Sequence, residues 1–266
     1  MSEKEKTLKK NQKKDPEKSD IKDSSGNDKI SKDFDKSAII CTDLVKDYEI
    51  GDYIVRAIND ISISINSGEF IVIRGPSGAG KTTLLNLIGG LDSPNSGTIY
   101  SLGIKISDLK EESLSTWRLV NSGFIFQNYN LISTLTAEEN IIFPINLSGV
   151  ELKIGRERAV SLLKKMGLQD RREHLPFQLS AGEQQRVAIA RALANDPPII
   201  LADEPTANLD KKTSQIVRDL FKELKNAIKT IILVTHDDYL IELADRIINF
   251  DDGKIINEEI TYETTH

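Results

Sequence analysis

Residues 75–82 read GPSGAGKT, small residues with three glycines ahead of a lysine and a threonine. The spacing G-x-x-x-x-G-K-[ST] belongs to a loop whose backbone N–H groups turn inward around phosphate oxygens. Its surroundings suit that use. The apolar run FIVIR enters it and the amphipathic run KTTLLNLIGGL leaves it, so a helix N-terminus points its partial positive charge at the anion. Gly75, Pro76, Ser77, Gly78, Ala79, Gly80, Lys81, Thr82 and Thr83 are therefore candidates to hold a nucleoside triphosphate. Lys81 would reach the β- and γ-phosphates, and the Thr82 hydroxyl would ligate Mg²⁺.

A second group completes this chemistry. The run IILADE delivers Asp203 and Glu204 to the end of an apolar strand, where open α/β sheets bind their ligands. Asp203 suits Mg²⁺, directly or through water, and Glu204 can polarise an attacking water. A third stretch, LSAGEQQRVAIARAL (179–193), opens on polar and small residues before any apolar side appears. Ser180 and Glu183 fit a capping box, so a helix starts there, with Val187, Ile189, Ala190 and Leu193 as its buried side. On these residues alone, a well-capped surface helix and a ligand-facing helix start are both open.

Elements must position these groups. ISISI (61–65) alternates as a half-buried strand does, and Asn66-Ser67-Gly68 turns the chain. FIVIRG (70–75), PIIL (198–201) and TIILV (230–234) are continuous apolar runs, as in strands covered on both faces. Helical periodicity in 81–91, 159–168 and 214–228 lies between them, so a mostly parallel sheet is expected. RIINF-DDG-KIIN reads as a hairpin closed by Asp252-Gly253.

Composition bounds the rest. The chain has 266 residues, 39% of them hydrophobic and 29% charged, which is ample for a core. A net charge of -6 disfavours nucleic acid as a general partner. A single cysteine, Cys41, excludes an internal disulfide and suits a reducing compartment. No apolar stretch approaches the roughly 20 residues that span a bilayer, and the first residues lack the apolar core of a secretory signal. Residues 1–37 are charged and nearly free of large apolar side chains, so a disordered tail is expected. Its first 14 residues hold six Lys against two Glu; a solvated tail and weak attraction to an anionic membrane face are the two readings.

Gly75 to Thr82, Gln127, LSAGE (179–183), ADE (202–204), ANLD (207–210) and His236 stand in an order that resembles the ATPase subunit of ATP-binding cassette (ABC) transporters. The resemblance covers about residues 38–258. It implies an α/β fold, a RecA-like P-loop NTPase core with an antiparallel β-subdomain and an inserted helical subdomain at about 130–190. Leu179, Ser180, Ala181, Gly182 and Glu183 resemble the signature that contacts the γ-phosphate of ATP on the opposite protomer. Ala181 stands for the commoner Gly, and Glu183 for the commoner Gln. By the same resemblance Tyr48 would stack on adenine, a strand-edge tyrosine being the plain alternative. Gln127 would couple Mg²⁺ or water to the membrane partner, His236 would hold the γ-phosphate and orient the water of Glu204, and Asp210 lies in a loop crossing the dimer interface. His174 and Trp117 are left as structural.

Longer phrases, among them GPSGAGKTTLLNLIGGLDSPNSG and GFIFQNYNLISTLTAEEN, resemble the branch serving lipoprotein release, macrolide export and FtsE-like envelope control. The implied protein is a cytoplasmic ATPase, peripheral on the inner face of the membrane, using ATP and Mg²⁺, paired with a second copy and a separate permease. An FtsE-like regulator that transports nothing is the alternative. A soluble ABC ATPase of repair or translation is a more distant one, since the chain carries one cradle, one signature and no heptad insertion.

Overall fold

The computed structural model describes residues 36–207 and 209–261; the expected tail falls almost wholly outside them. Ser37, placed in that tail by its composition, instead starts the first strand and is buried.

Strands β1 (Ser37–Ile50), β2 (Tyr53–Asn66), β4 (Ser96–Ser101) and β5 (Ile104–Lys105) form an antiparallel sheet in the order β2-β1-β4-β5. In β2 the run Ile61–Ile65 alternates buried and exposed, which places Ile61, Ile63 and Ile65 on the core side.

The second sheet holds β3 (Phe70–Arg74), β6 (Ser122–Ile125), β7 (Ile199–Asp203), β8 (Thr230–Val234), β9 (Arg246–Asp251) and β10 (Lys254–Ile260). Its order is β10-β9-β3-β8-β7-β6, parallel throughout except for the β9–β10 hairpin. That hairpin turns at Asp252 and Gly253, both at positive φ, as a two-residue hairpin turn requires.

Helices cover both faces, which explains the unbroken apolar runs of the parallel strands. Phe70, Val72, Ile200, Ala202, Ile231 and Leu233 face one core, while Ile71, Ile73, Ile199, Leu201, Ile232 and Val234 face the other. Against the second core lie α1 (Lys81–Ile88) and α2 (Glu111–Asn121). Against the first lie α3 (Ala137–Leu147), α4 (Leu152–Lys165), α5 (Ala181–Ala192) and α6 (Lys211–Asn226). Between β6 and β7, at 126–198, the described chain forms helices and loops and no strand. The short helix α7 (Asp238–Glu242) follows β8.

Candidate nucleotide site

The chemistry-bearing residues collect at one edge. Strands β3, β8, β7 and β6 are consecutive in the parallel sheet, and their C-terminal ends lead to Gly75, His236, Asp203–Glu204 and Gln127 respectively. There a cavity of about 840 Å³ is lined by Ser77 to Thr83, Gln127, Asp203, Glu204 and His236, with Tyr48 at its side.

The cradle depends on close backbone approach. Gly75 stands at φ 156 and a Cβ there would lie 1.8 Å from the Phe250 carbonyl; at Gly80, φ 102, a Cβ would lie 2.2 Å from the Ala57 carbonyl. Side chains at these positions are excluded by backbone that cannot yield. Lys81 is buried, and its Nζ donates to the Gly75 and Pro76 carbonyls at 2.7 Å each. The ammonium is thereby held against the loop it serves.

Thr82 Oγ1 donates to Asp203 Oδ2 at 2.7 Å. A hydroxyl and a carboxylate side by side are the hard oxygen donors that Mg²⁺ takes. Glu204 stands at φ 46, a left-handed conformation rare outside glycine. Burial pushes its carboxyl above the ordinary glutamate range, against the lowering influence of His236. His236 Nε2 lies 3.6 Å from Glu204 Oε1, and its imidazole is largely exposed to the cavity edge.

Tyr48 is held from two sides. Its phenol donates to Asp92 Oδ2 at 2.7 Å, and the Lys46 ammonium lies 5.0 Å from the ring centroid while donating to Asp92 Oδ1. Lys46 and Asp92 escaped the sequence reading; the contact joins positions 44 apart, and nothing local marks it.

The LSAGE stretch is elsewhere. Among the described residues that line the cavity, none belongs to Leu179–Glu183 or is Asp210. Ser180 caps α5 in a full capping box: its Oγ accepts from the Glu183 N–H, while Glu183 Oε2 accepts from the Ser180 N–H and hydroxyl. Arg171 Nε donates to Glu183 Oε1 at 3.0 Å, and the Glu183 carboxyl sits below its ordinary range, chiefly through the Ser180 backbone bond. Leu179 is buried, whereas Ser180 and Ala181 are exposed. A Cβ on Gly182 would press on the Thr213 side chain at 3.1 Å. This packing against α6 is a reason for glycine that the sequence did not reveal.

Asp210 caps α6. Oδ1 accepts from the Lys212 and Thr213 N–H groups, and Oδ2 from the Thr213 hydroxyl. Trp117 is buried in the core, and the His174 backbone bonds to Ala137 and Arg171.

A glycine-lined cradle between a parallel strand and a helix, facing an acidic strand end, defines a P-loop nucleoside triphosphatase. The family is narrower. Residues 58–207 match the family model described as ABC transporter, and the chain belongs to that family as an ATP-binding cassette ATPase.

It is 45% identical over 202 residues to a lipoprotein-releasing system ATP-binding protein, LolD, of Bacteroides thetaiotaomicron, covering 76% of this chain and 93% of that one. It is 46% identical to a macrolide export ATP-binding/permease protein, MacB, of Hyphomonas neptunium, over 81% of this chain but only 34% of that one. The chain thus spans about a third of that relative's length. A solved ATP-binding cassette of Methanocaldococcus jannaschii, a dimer in a post-hydrolysis state with ADP and phosphate, superposes with a TM-score of 0.80 at 43% identity, covering 84% of this chain and 98% of that one.

Proposed function

We propose that two copies of this chain close head to tail around two ATP·Mg²⁺, and that the pair powers a separate membrane permease. One observation carries the reading: the cavity is lined by Ser77 to Thr83 of the cradle together with Gln127, Asp203, Glu204 and His236, while the polar start of α5 stands exposed outside it. A second chain would bring that start, Leu179–Glu183, to the open side of the cavity. The dimeric state of the similar cassette supports this arrangement.

In this reading Lys81 and the cradle N–H groups bind the β- and γ-phosphates, and Tyr48 packs on the base. Thr82, Asp203 and Gln127 would hold Mg²⁺, which neutralises charge across the phosphates when bound. Glu204, its proton affinity raised by burial, takes the proton of the attacking water. His236 orients that water and the phosphate. Ser180 donates to the partner's γ-phosphate, and Asp210 lies in the loop at the interface.

Opening after hydrolysis would pass to the permease through the surface beside Gln127. There Phe126, Ile132, Phe143 and Leu147 line an apolar groove of about 440 Å³, shaped for a short amphipathic segment of a membrane protein. Among the described residues no helix is long and apolar enough to cross a membrane, so the pair would sit on the cytoplasmic face through that partner. Exported or envelope-directed substrates are the proposed cargo, since the similar proteins are named for macrolide export and lipoprotein release.

The test is isolation of the tagged full-length chain from detergent-solubilised membranes, followed by identification of what accompanies it. A membrane permease at near-equal stoichiometry is expected. A regulated envelope enzyme without transport of any cargo by the reconstituted complex would favour the FtsE-like alternative. Recovery with ribosomes or DNA and no membrane protein would refute the proposal.

A further inference from the structure

Gln185 lies on α5 shortly after Ser180 and is 2% exposed. Its Nε2 donates to the Pro205 carbonyl at 3.1 Å, while its Oε1 is buried and has no hydrogen-bond partner among the described residues. The reversed amide would set one carbonyl oxygen against another, so this orientation is the one the site accepts. An apolar side chain would avoid stranding a buried acceptor. What it could not do is hold Pro205.

Pro205 follows Glu204, whose left-handed backbone persists only where its surroundings over-determine it. Three contacts do so. The Glu204 N–H donates to the Val234 carbonyl at 2.8 Å, the Thr206 hydroxyl donates to Asp237 Oδ2 at 3.0 Å, and the Gln185 amide holds the carbonyl between them. The first two pins come from the end of β8 and the residue after His236. The third comes from the helix that LSAGE begins.

We propose that Gln185 is a positioning residue that ties α5 to the Glu204 loop, so that contacts made at Ser180 set where the Glu204 carboxylate stands. The inference rests on Glu204 as the base and Ser180 as the contact to the partner's phosphate. One helix then serves two sites, the partner's at its first residue and its own chain's at the next turn. No proton passes through Gln185. Its loss would free the loop from one pin, and so slow the chemical step without weakening the grip of the cradle on ATP.

The test is Gln185→Leu in the full chain, with Gln185→Met as a second, more adaptable filler should the first fail to fold. The expected result is a kcat lower by on the order of 10- to 100-fold, with KM for ATP and the melting temperature close to wild type. Adding either substitution to Glu204→Gln should leave ATP-dependent dimerisation unchanged. Wild-type kcat in a folded variant, a loss confined to KM or thermal stability, or loss of the dimer in the double variant would each overturn the proposal. Wild-type turnover of Glu204→Gln itself would instead refute the base on which the inference stands, and the inference would fall with it.

Discussion

Glu204 combines three properties that suit the proposed role of base: a place at a strand end, a constrained backbone and partial burial. Glu204→Gln keeps the shape and removes the basicity, so ATP should still bind while turnover falls on the order of 10²- to 10⁴-fold; a phosphate-release assay beside nucleotide binding checks both. The pH profile follows from the raised carboxyl. A base works deprotonated, so the acid limb of kcat should lie above pH 4.5, the ordinary glutamate value, and activity should fall as pH drops through it. A limb at or below that value would contradict the assignment. That Lys81, Asp203 and Glu204 meet in one cavity was legible because loop and strand-end patterns are local in sequence. Gln185, Asp92 and Lys46 were not, because each acts through a partner 20 to 46 positions away.

The elements were legible where burial imposed a clean period. FIVIR, PIIL and TIILV read as strands because both faces are covered, and the Ser180–Glu183 pair announced the start of α5. β1 went unread. Register shifts between Cys41 and Leu44 and again at Lys46–Asp47 break its alternation. Helix α4 begins at Leu152, ahead of the periodic run at 159, because its first turns bury little beyond Gly155.

Nor did sequence show what binds α3 to α4. Glu138 is buried, with Oε1 accepting from Arg156 Nε at 2.9 Å and Oε2 from Arg172 Nε at 2.5 Å. Burial pushes its carboxyl up, but the two guanidinium groups more than offset this and leave it below its ordinary range. Glu138→Ala should cost about 1 kcal/mol, since the buried acceptor that joins the two arginines is lost while the guanidinium groups themselves can turn to water. Because the folded carboxyl is depressed, its contribution is present above the ordinary value of 4.5 and fades as pH falls below it. Thermal melts of wild type and Glu138→Gln across that range should converge at acid pH. A gap that stays constant would show that the ion pairs are not its source.

At the scale of the whole molecule, two sheets and a helical layer present the cradle and the LSAGE helix as separate surfaces of one chain. The central claim is that each nucleotide site is shared between two copies. Ser180→Arg places a bulky cation at an exposed helix start and leaves the cradle untouched. ATP affinity of this variant, measured by titration beside Lys81→Ala and paired with gel filtration in ATP and Mg²⁺, tests the claim most directly. The account predicts near-wild-type affinity, no ATP-dependent dimer and no hydrolysis. If Ser180→Arg loses affinity as severely as Lys81→Ala, the LSAGE helix serves its own chain's nucleotide and the shared site is contradicted.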